Sequence, residues 1–338
     1  MSTYLKPGLA ADYEDAPKWM LDYLRFLQTI LGRSPKTCMT YYHNLRTFFQ
    51  WVSFYLMHGK NPTQQELNLV TIRQIPLDTV QMIRTDDVYE FLFFCDTVLN
   101  NSAATRNQKL TSIDGLYQYL QRKKVCEITE NPAATIDRAK TPQKRPVFLT
   151  QQEQEQLLSS IKGENQIRDY AIILLALVTG LRVSEIAALD TSDISYENGL
   201  LTVRGGKGGK DRVDYLTPPL MDAMQRYEEQ YRNRVEVPLI EPNAYFVTKR
   251  RGTRLTTKAI ENLVKKHTKE AGIWKDITPH KLRHTAATSM AKDGVPVLVL
   301  QQLMGHNSPN TTQIYTHLDS DDIRNALADT QLNALGEQ

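Results

Sequence analysis

The chain has 338 residues, 41% of them apolar, enough to bury a core without disulfide or metal staples and long enough for two domains. Its net charge of +3 excludes no class of partner by itself. The charge is uneven: residues 1–145 carry 18 Lys and Arg against 14 Asp and Glu, and the remainder carries 23 against 24. A DNA-binding surface in the second half must therefore come from local clusters rather than bulk charge. The three cysteines, Cys38, Cys95 and Cys126, are few and scattered, which argues against a disulfide scaffold and fits a reducing compartment. The N-terminal MSTYLKPGLAADYED is too polar for a signal peptide. The longest apolar run, Ala171–Val178, is far short of a membrane span. The expectation is a cytoplasmic protein with no membrane partner.

In chain order, the first predicted helix includes WMLDYLRFLQTIL, with Leu21, Leu24, Leu27 and Leu31 recurring at threes and fours and Gly32 ending it. Ser34 and Pro35 form a cap-plus-proline start for a second helix, in which Tyr41, Leu45, Phe48, Phe49 and Val52 mark the dry side. Two further helical stretches are predicted near Asp78–Leu99 and Ser102–Lys123, and Asn131-Pro132 closes the series. Residues 1–135 thus read as a small helical bundle. DRAKTPQKRPV follows, with two prolines, four basic residues and one acid. Residues 136–147 read as a linker, either a solvated tether or a basic strand that tracks a phosphate backbone.

The second half, 148–338, opens on Thr150 and Glu153, a capping-box spacing. A buried helix is predicted over Arg168–Leu177, ending near Gly180, then a short one to Leu189. GLLTVRGGKGGKDRVDYL predicts a β-hairpin, with Leu201 and Val203 on one arm and Val213 and Tyr215 on the other. Helices are predicted from Pro218 to about Tyr231 and over Thr256–Lys269, Pro279–Lys292, Pro296–Met304, Pro309–Thr316 and about Asp321–Leu335, with a short strand at Ala244–Val247. The fold class is mainly α, with a small β-sheet in a mixed α/β second domain.

Four motifs carry chemistry. TGLRVSE places Arg182 just past Gly180; alone it reads equally as a surface arginine paired with Glu185 or as a bidentate phosphate ligand. RGGKGGKDR puts Lys207 at a glycine-rich turn between strands, either a solvated tip or a mobile proton donor; it lacks the GKS or GKT of a P-loop. ITPHKLRHTAA sets His280 in the first turn of a helix, Arg283 three residues on and His284 next. The i,i+4 histidines are not an HExxH zinc site, because Lys281 stands at the glutamate position and the positive charge there favours phosphate over a metal. LMGHNSPNTTQIYTH supplies His306 and, nine residues later, Tyr315. Two arginines, a turn lysine, two histidines and a tyrosine suit metal-free attack on a phosphodiester. The arginines neutralise the transition-state oxygens, lysine and histidine move protons, and a tyrosine nucleophile holds the broken strand covalently.

With TGLRVSE, GGKGGKDR, HKLRHTAAT, LMGH and TTQIYTH on the page, the chain resembles the tyrosine recombinases, the family of phage-type integrases and Xer-type resolvases. The resemblance covers nearly the whole chain and is most specific over 148–320. It implies catalytic roles for Arg182, Lys207, His280, Arg283, His306 and Tyr315, with Glu185 and His284 supporting. It also implies a helical core-binding domain over 1–135 and a C-shaped clamp on double-stranded DNA with paired inverted half-sites. A tetramer on a two-duplex synapse, a 3′-phosphotyrosyl intermediate and a Holliday junction follow, with no cofactor and no metal. Involvement of a related partner recombinase or an accessory factor stays open, as does chromosome-dimer resolution against mobile-element integration. The rival readings are a type IB topoisomerase-like DNA relaxase and an architectural DNA-binding protein without catalysis. The apolar stripe of the tail, Ile323, Ala326, Leu327 and Leu332, folds back on its own domain or inserts into a neighbouring protomer.

Overall fold

The computed structural model describes residues 13–124, 128–141, 146–204 and 211–304. The chain divides into two compact units, Met1–Lys144 and Arg145–Gln338.

Among the described residues the first unit is all helical: α1 (Lys18–Thr29), α2 (Pro35–His58), α3 (Gln64–Leu69), α4 (Leu77–Met82), α5 (Thr85–Thr97) and α6 (Ala103–Lys123). The start of α2 is built as its sequence predicts. The Ser34 hydroxyl accepts the Thr37 N–H at 3.2 Å, Pro35 occupies the first turn, and Gly59 ends the helix at φ 63°. The predicted stretch Asp78–Leu99 is two helices rather than one. Ile83 is extended, and the Arg84 N–H donates to the Asp87 carboxylate at 2.8 Å, which starts α5 afresh. Helix α3 was not predicted. Its signal is the capping box Thr63–Glu66, in which the Thr63 N–H donates to Glu66 at 2.8 Å. The core gathers Phe48, Phe49 and Trp51 of α2 with Phe91 and Phe94 of α5 and Tyr117 of α6. The segment after α6 is not wholly free: the Asn107 side chain accepts the Ala139 N–H and donates to its carbonyl, both at 2.9 Å.

The second unit is organised around an apolar helix. In chain order it contains α7 (Gln151–Ser159), α8 (Gln166–Thr179), α9 (Val183–Ala188), β1 (Ile194–Ser195), β2 (Leu200–Val203), β3 (Arg212–Tyr215), α10 (Pro218–Gln230), α11 (Thr257–Glu270), α12 (Pro279–Lys292) and α13 (Val297–Leu303). Every residue of α8 from Ala171 to Thr179 is buried, and α10 and α12 flank it. The strands form an antiparallel sheet in the order β1-β2-β3, and β1 was not predicted. The stretch 244–247 makes isolated bridges, Asp190 to Ala244 and Val247 to Arg254, instead of a full strand.

The hairpin register corrects the sequence reading of its second arm. Leu201 pairs with Asp214 and Val203 with Arg212, so the inner face of β3 carries Arg212 and Asp214 while Val213 is turned outward. The helices expected over Pro309–Thr316 and Asp321–Leu335 lie outside the described residues. Among the described residues no helix is long and apolar enough to cross a membrane. The central place of α8 sets an expectation: Leu175→Ala leaves a cavity and lowers the unfolding free energy by about 3 kcal/mol. Urea unfolding measures it, and a loss under about 1 kcal/mol would mean that α8 is not the core element.

Candidate phosphate-binding site

The site begins where α8 ends. Gly180 turns the chain with φ 62°, a conformation that side chains disfavour, and a Cβ there would stand 2.7 Å from the Met304 Cε. Leu181 is buried next to it, and Arg182 becomes the first residue outside α9. Thr278 and Pro279 start α12 in the same cap-plus-proline manner, the Thr278 hydroxyl accepting the Lys281 N–H at 3.4 Å. One turn later Arg283 reaches back to the end of α8. It donates from Nη1 to the Gly180 carbonyl at 2.6 Å and from Nη2 to the Met304 carbonyl. These acceptors are main-chain oxygens at helix ends, left without helical partners.

Glu185 holds the cluster together and is nearly buried, 8% exposed. Arg182 donates to it twice, from its N–H at 2.8 Å and from Nη1 at 2.7 Å. The pairing of these two residues, open in the sequence, is therefore present. Arg212 of β3 adds two parallel hydrogen bonds from Nη1 and Nη2, each 3.0 Å. Burial by itself would raise the Glu185 carboxyl, but hydrogen bonds from Arg212 and Arg182 outweigh it and hold it at about 2. Arg283 is pushed the other way, down to about 10, by burial first and then by the positive charge of Arg182.

Asp214 is the outlier. It is 2% exposed, and its closest cation, the Arg212 Nε, stands 3.6 Å from Oδ2, an ionic contact too long for a hydrogen bond. Burial raises its carboxyl to about 7; Arg212 opposes the rise and the Glu185 charge adds to it. Neither Arg212 nor Asp214 was singled out from the sequence. The signal was available in the alternation of RVDY, where the charged pair and the Val213–Tyr215 pair occupy opposite faces.

The other predicted residues fall as follows. His280 is exposed in the first turn of α12. His284 is half-buried with its ring edge-on to Phe148, centroids 6.1 Å apart. Lys281 does not crowd the site as its sequence position suggested, because its ammonium is engaged by Asp276 at 3.0 Å. Lys207, His306 and Tyr315 lie outside the described residues. Among the described residues no three His, Cys, Asp or Glu side chains gather as a metal cluster. The described part of the site is thus a half-buried arginine and a buried one on either side of a glycine turn, braced by an acid and a third arginine. Such an arrangement can bind a phosphodiester through guanidinium contacts.

The family model for the phage integrase family matches residues 147–321. Tyrosine recombinase XerC of Caldanaerobacter subterraneus subsp. tengcongensis is 36% identical over 313 residues, covering 92% of this chain and 86% of the relative. Tyrosine recombinase XerD of Oceanobacillus iheyensis is 33% identical over 303 residues, covering 88% and 92%. Among solved structures, the XerH site-specific recombinase bound to palindromic difH substrate, in a post-cleavage complex, superposes with a TM-score of 0.65 at 22% identity. The match covers 91% of this chain and 84% of that one, and it establishes a common fold.

The raised carboxyl of Asp214 gives a pH test of stability. Below its unfolded value near 3.8 the acid is neutral in both states. As the pH rises from there to about 7, unfolding releases its proton, so the folded state loses stability through that window. Asp214→Asn removes the loss, and the gain in Tm is expected to be larger at pH 8 than at pH 5. Equal shifts at the two pH values would mean that the buried acid is ionised throughout.

Proposed function

The chain belongs to the phage integrase family, the tyrosine recombinases, with Xer-type members among its near relatives, and from that premise we propose the site, reaction and role that follow. The reaction is cleavage and rejoining of DNA at a specific site, carried by Tyr315. Its hydroxyl attacks the scissile phosphorus, the phosphorus–O3′ bond stays intact, and the bond to the 5′-oxygen breaks as a 3′-phosphotyrosyl bond forms. The tyrosine proton passes to a histidine, His280 or His306, and Lys207 protonates the departing 5′-oxygen. A 5′-hydroxyl from the partner duplex then attacks the phosphotyrosine and releases Tyr315. Arg182 and Arg283 neutralise the non-bridging oxygens during both steps, with Glu185 and His284 in support. The observation that best supports this assignment is the seating of Arg182 and Arg283 on either side of the Gly180 turn, one of them partly open to solvent.

Residues 1–135 serve as the core-binding DNA domain, with 136–147 as the linker, whose four basic residues against one acid suit a phosphate backbone, and 148–338 as the catalytic domain. The working assembly is a tetramer on two duplexes, each carrying inverted half-sites, and strands exchange through a Holliday junction. The cellular role is of the Xer kind, resolution of chromosome dimers ahead of mobile-element integration. Relatives bearing the Xer name span more than four fifths of both chains, which supports that order. Sequencing the DNA trapped covalently on the protein inside its host tests role and target together; adducts confined to the ends of a mobile element would reverse the order.

Two variants test the chemistry. Tyr315→Phe is expected to bind duplex DNA and to form no covalent adduct on a nicked suicide substrate, and an adduct yield equal to wild type would remove Tyr315 from its role. Arg182→Ala and Arg283→Ala are expected to slow single-turnover cleavage by about 10²–10³ while binding changes far less, since binding is shared among many phosphates. Near-normal rates in either variant would dismiss that arginine from the site.

A further inference from the structure

Arg212 lies on the buried side of Glu185, and Arg182 lies on the open side. The Arg212 side chain is 12% exposed and that of Arg182 is 32% exposed. Each Glu185 oxygen accepts one hydrogen bond from each arginine: Oε1 from the two Nη1 atoms at 2.7 and 3.0 Å, and Oε2 from the Arg182 N–H at 2.8 Å and the Arg212 Nη2 at 3.0 Å. Both fork nitrogens of Arg212 are committed to the carboxylate, so Arg212 is poorly placed to meet a phosphate. Its Nε faces Asp214 on the same strand. The groups around this pair are Glu185 and Arg182 from the start of α9, Arg283 from α12 and Asp214 from β3.

We infer that Arg212 is a positioning residue for the DNA cleavage reaction, acting on Arg182 through the Glu185 carboxylate that the two arginines share. The inference rests on the recombinase reading above and adds to it a residue that never touches the substrate. Arg182 alone touches each Glu185 oxygen once, through one main-chain and one side-chain donor; pinned also from behind by a planar fork, the carboxylate presents one fixed pair of oxygens to the Arg182 guanidinium. Arg182 then meets the scissile phosphate in one orientation, which is what a transition-state contact requires. Asp214 stands behind the fork at 3.6 Å from Nε and makes no hydrogen bond to it. Lysine at 212 keeps the charge but reaches the carboxylate as a single point, so it preserves the ion pair and loses the orientation. An arginine that only ties β3 to α9 would instead affect folding and leave the chemistry of the phosphate untouched.

The experiment compares wild type, Arg212→Lys, Arg212→Ala, Arg182→Ala and the Arg182→Ala/Arg212→Ala double variant, each first shown to be folded by circular-dichroism melting. Single-turnover cleavage is followed on a suicide substrate with an ordinary phosphodiester and on one whose scissile phosphate is a methylphosphonate. Arg212→Ala is expected to slow cleavage of ordinary DNA by about tenfold to a hundredfold, the range for a displaced but still present donor, with Arg212→Lys between it and wild type. The double variant is expected within about twofold of Arg182→Ala alone, since the second loss has nothing left to position. On the methylphosphonate the oxygen charge that Arg182 meets is gone, so the Arg212 defect shrinks. Should Arg212→Ala not fold, the Arg212→Lys comparison on the two substrates decides alone. A defect of equal size on both substrates, or a double variant slowed by the product of the single effects, overturns the positioning role. A wild type that forms no adduct on any duplex overturns the recombinase reading itself, and this inference with it.

Discussion

Guanidinium groups repel one another, and the second unit gathers three of them around one buried acid. Two unit charges about 4 Å apart interact by about 4 kcal/mol at the effective dielectric of a protein surface, so a cluster of cations needs a compensating anion before it can fold. Glu185 is that anion. Its four hydrogen bonds from Arg182 and Arg212 hold it ionised well below the usual carboxylate range. Arg283 feels the same field from further off and loses part of its ordinary affinity for its proton, first through burial and then through Arg182. The result is a site that carries positive charge toward solvent while keeping most of its ionic partners inside.

That arrangement depends on backbone geometry at one point. Helix α8 is apolar enough to be surrounded, and it stops at Gly180 because the chain turns there through a left-handed conformation with no room for a side chain. The turn exposes the Gly180 carbonyl to Arg283 and delivers Arg182 to the start of α9 two residues later. Elsewhere in the unit the same logic of buried charge recurs. His267 is fully buried between Asp169 at 2.9 Å and Glu270 at 3.0 Å, and Asp169 also takes two hydrogen bonds from Arg168. That cluster joins α8 to α11 through the hydrogen bond from His267 Nε2 to Asp169, while the buried His267 Nδ1 makes no hydrogen bond. The Arg182 cluster differs in leaving one guanidinium partly open.

Much of this was readable in the sequence, for identifiable reasons. Helix starts marked by Ser34-Pro35, Thr150 with Glu153 and Thr278-Pro279 were legible because capping is local chemistry. The joint near Ile83 was not, because the apolar pattern runs straight across it and only a hydrogen bond from Arg84 to Asp87 restarts the helix. Arg182, Glu185 and Arg283 were legible as a set because their motifs are distinctive. Arg212 was not legible, because in RGGKGGKDR it is one of four basic residues and only the strand pairing turns it inward. The inward face of β3 is fixed by the pairing of Leu201 with Asp214, and a tertiary register of that kind is invisible until both strands are laid side by side.

The placement of the groups also separates two tasks that the chemistry requires. Neutralising a phosphate calls for donors whose positions are set before the substrate arrives, since reorganising charge during the reaction would cost what the contact gains. In this chain the two arginines proposed for that task are held by main-chain and carboxylate acceptors, Arg182 at the start of a short helix and Arg283 on a helix packed against α8, while Arg212 on a strand braces the shared carboxylate from behind. The residues assigned to proton transfer and covalent bonding, Lys207, His306 and Tyr315, come from other stretches of sequence, each set off by glycine or proline. A division of that kind lets the electrostatic half of the site fold as part of the hydrophobic core. Because a duplex presents many phosphates, binding energy on DNA is spread over many contacts rather than charged to any one arginine.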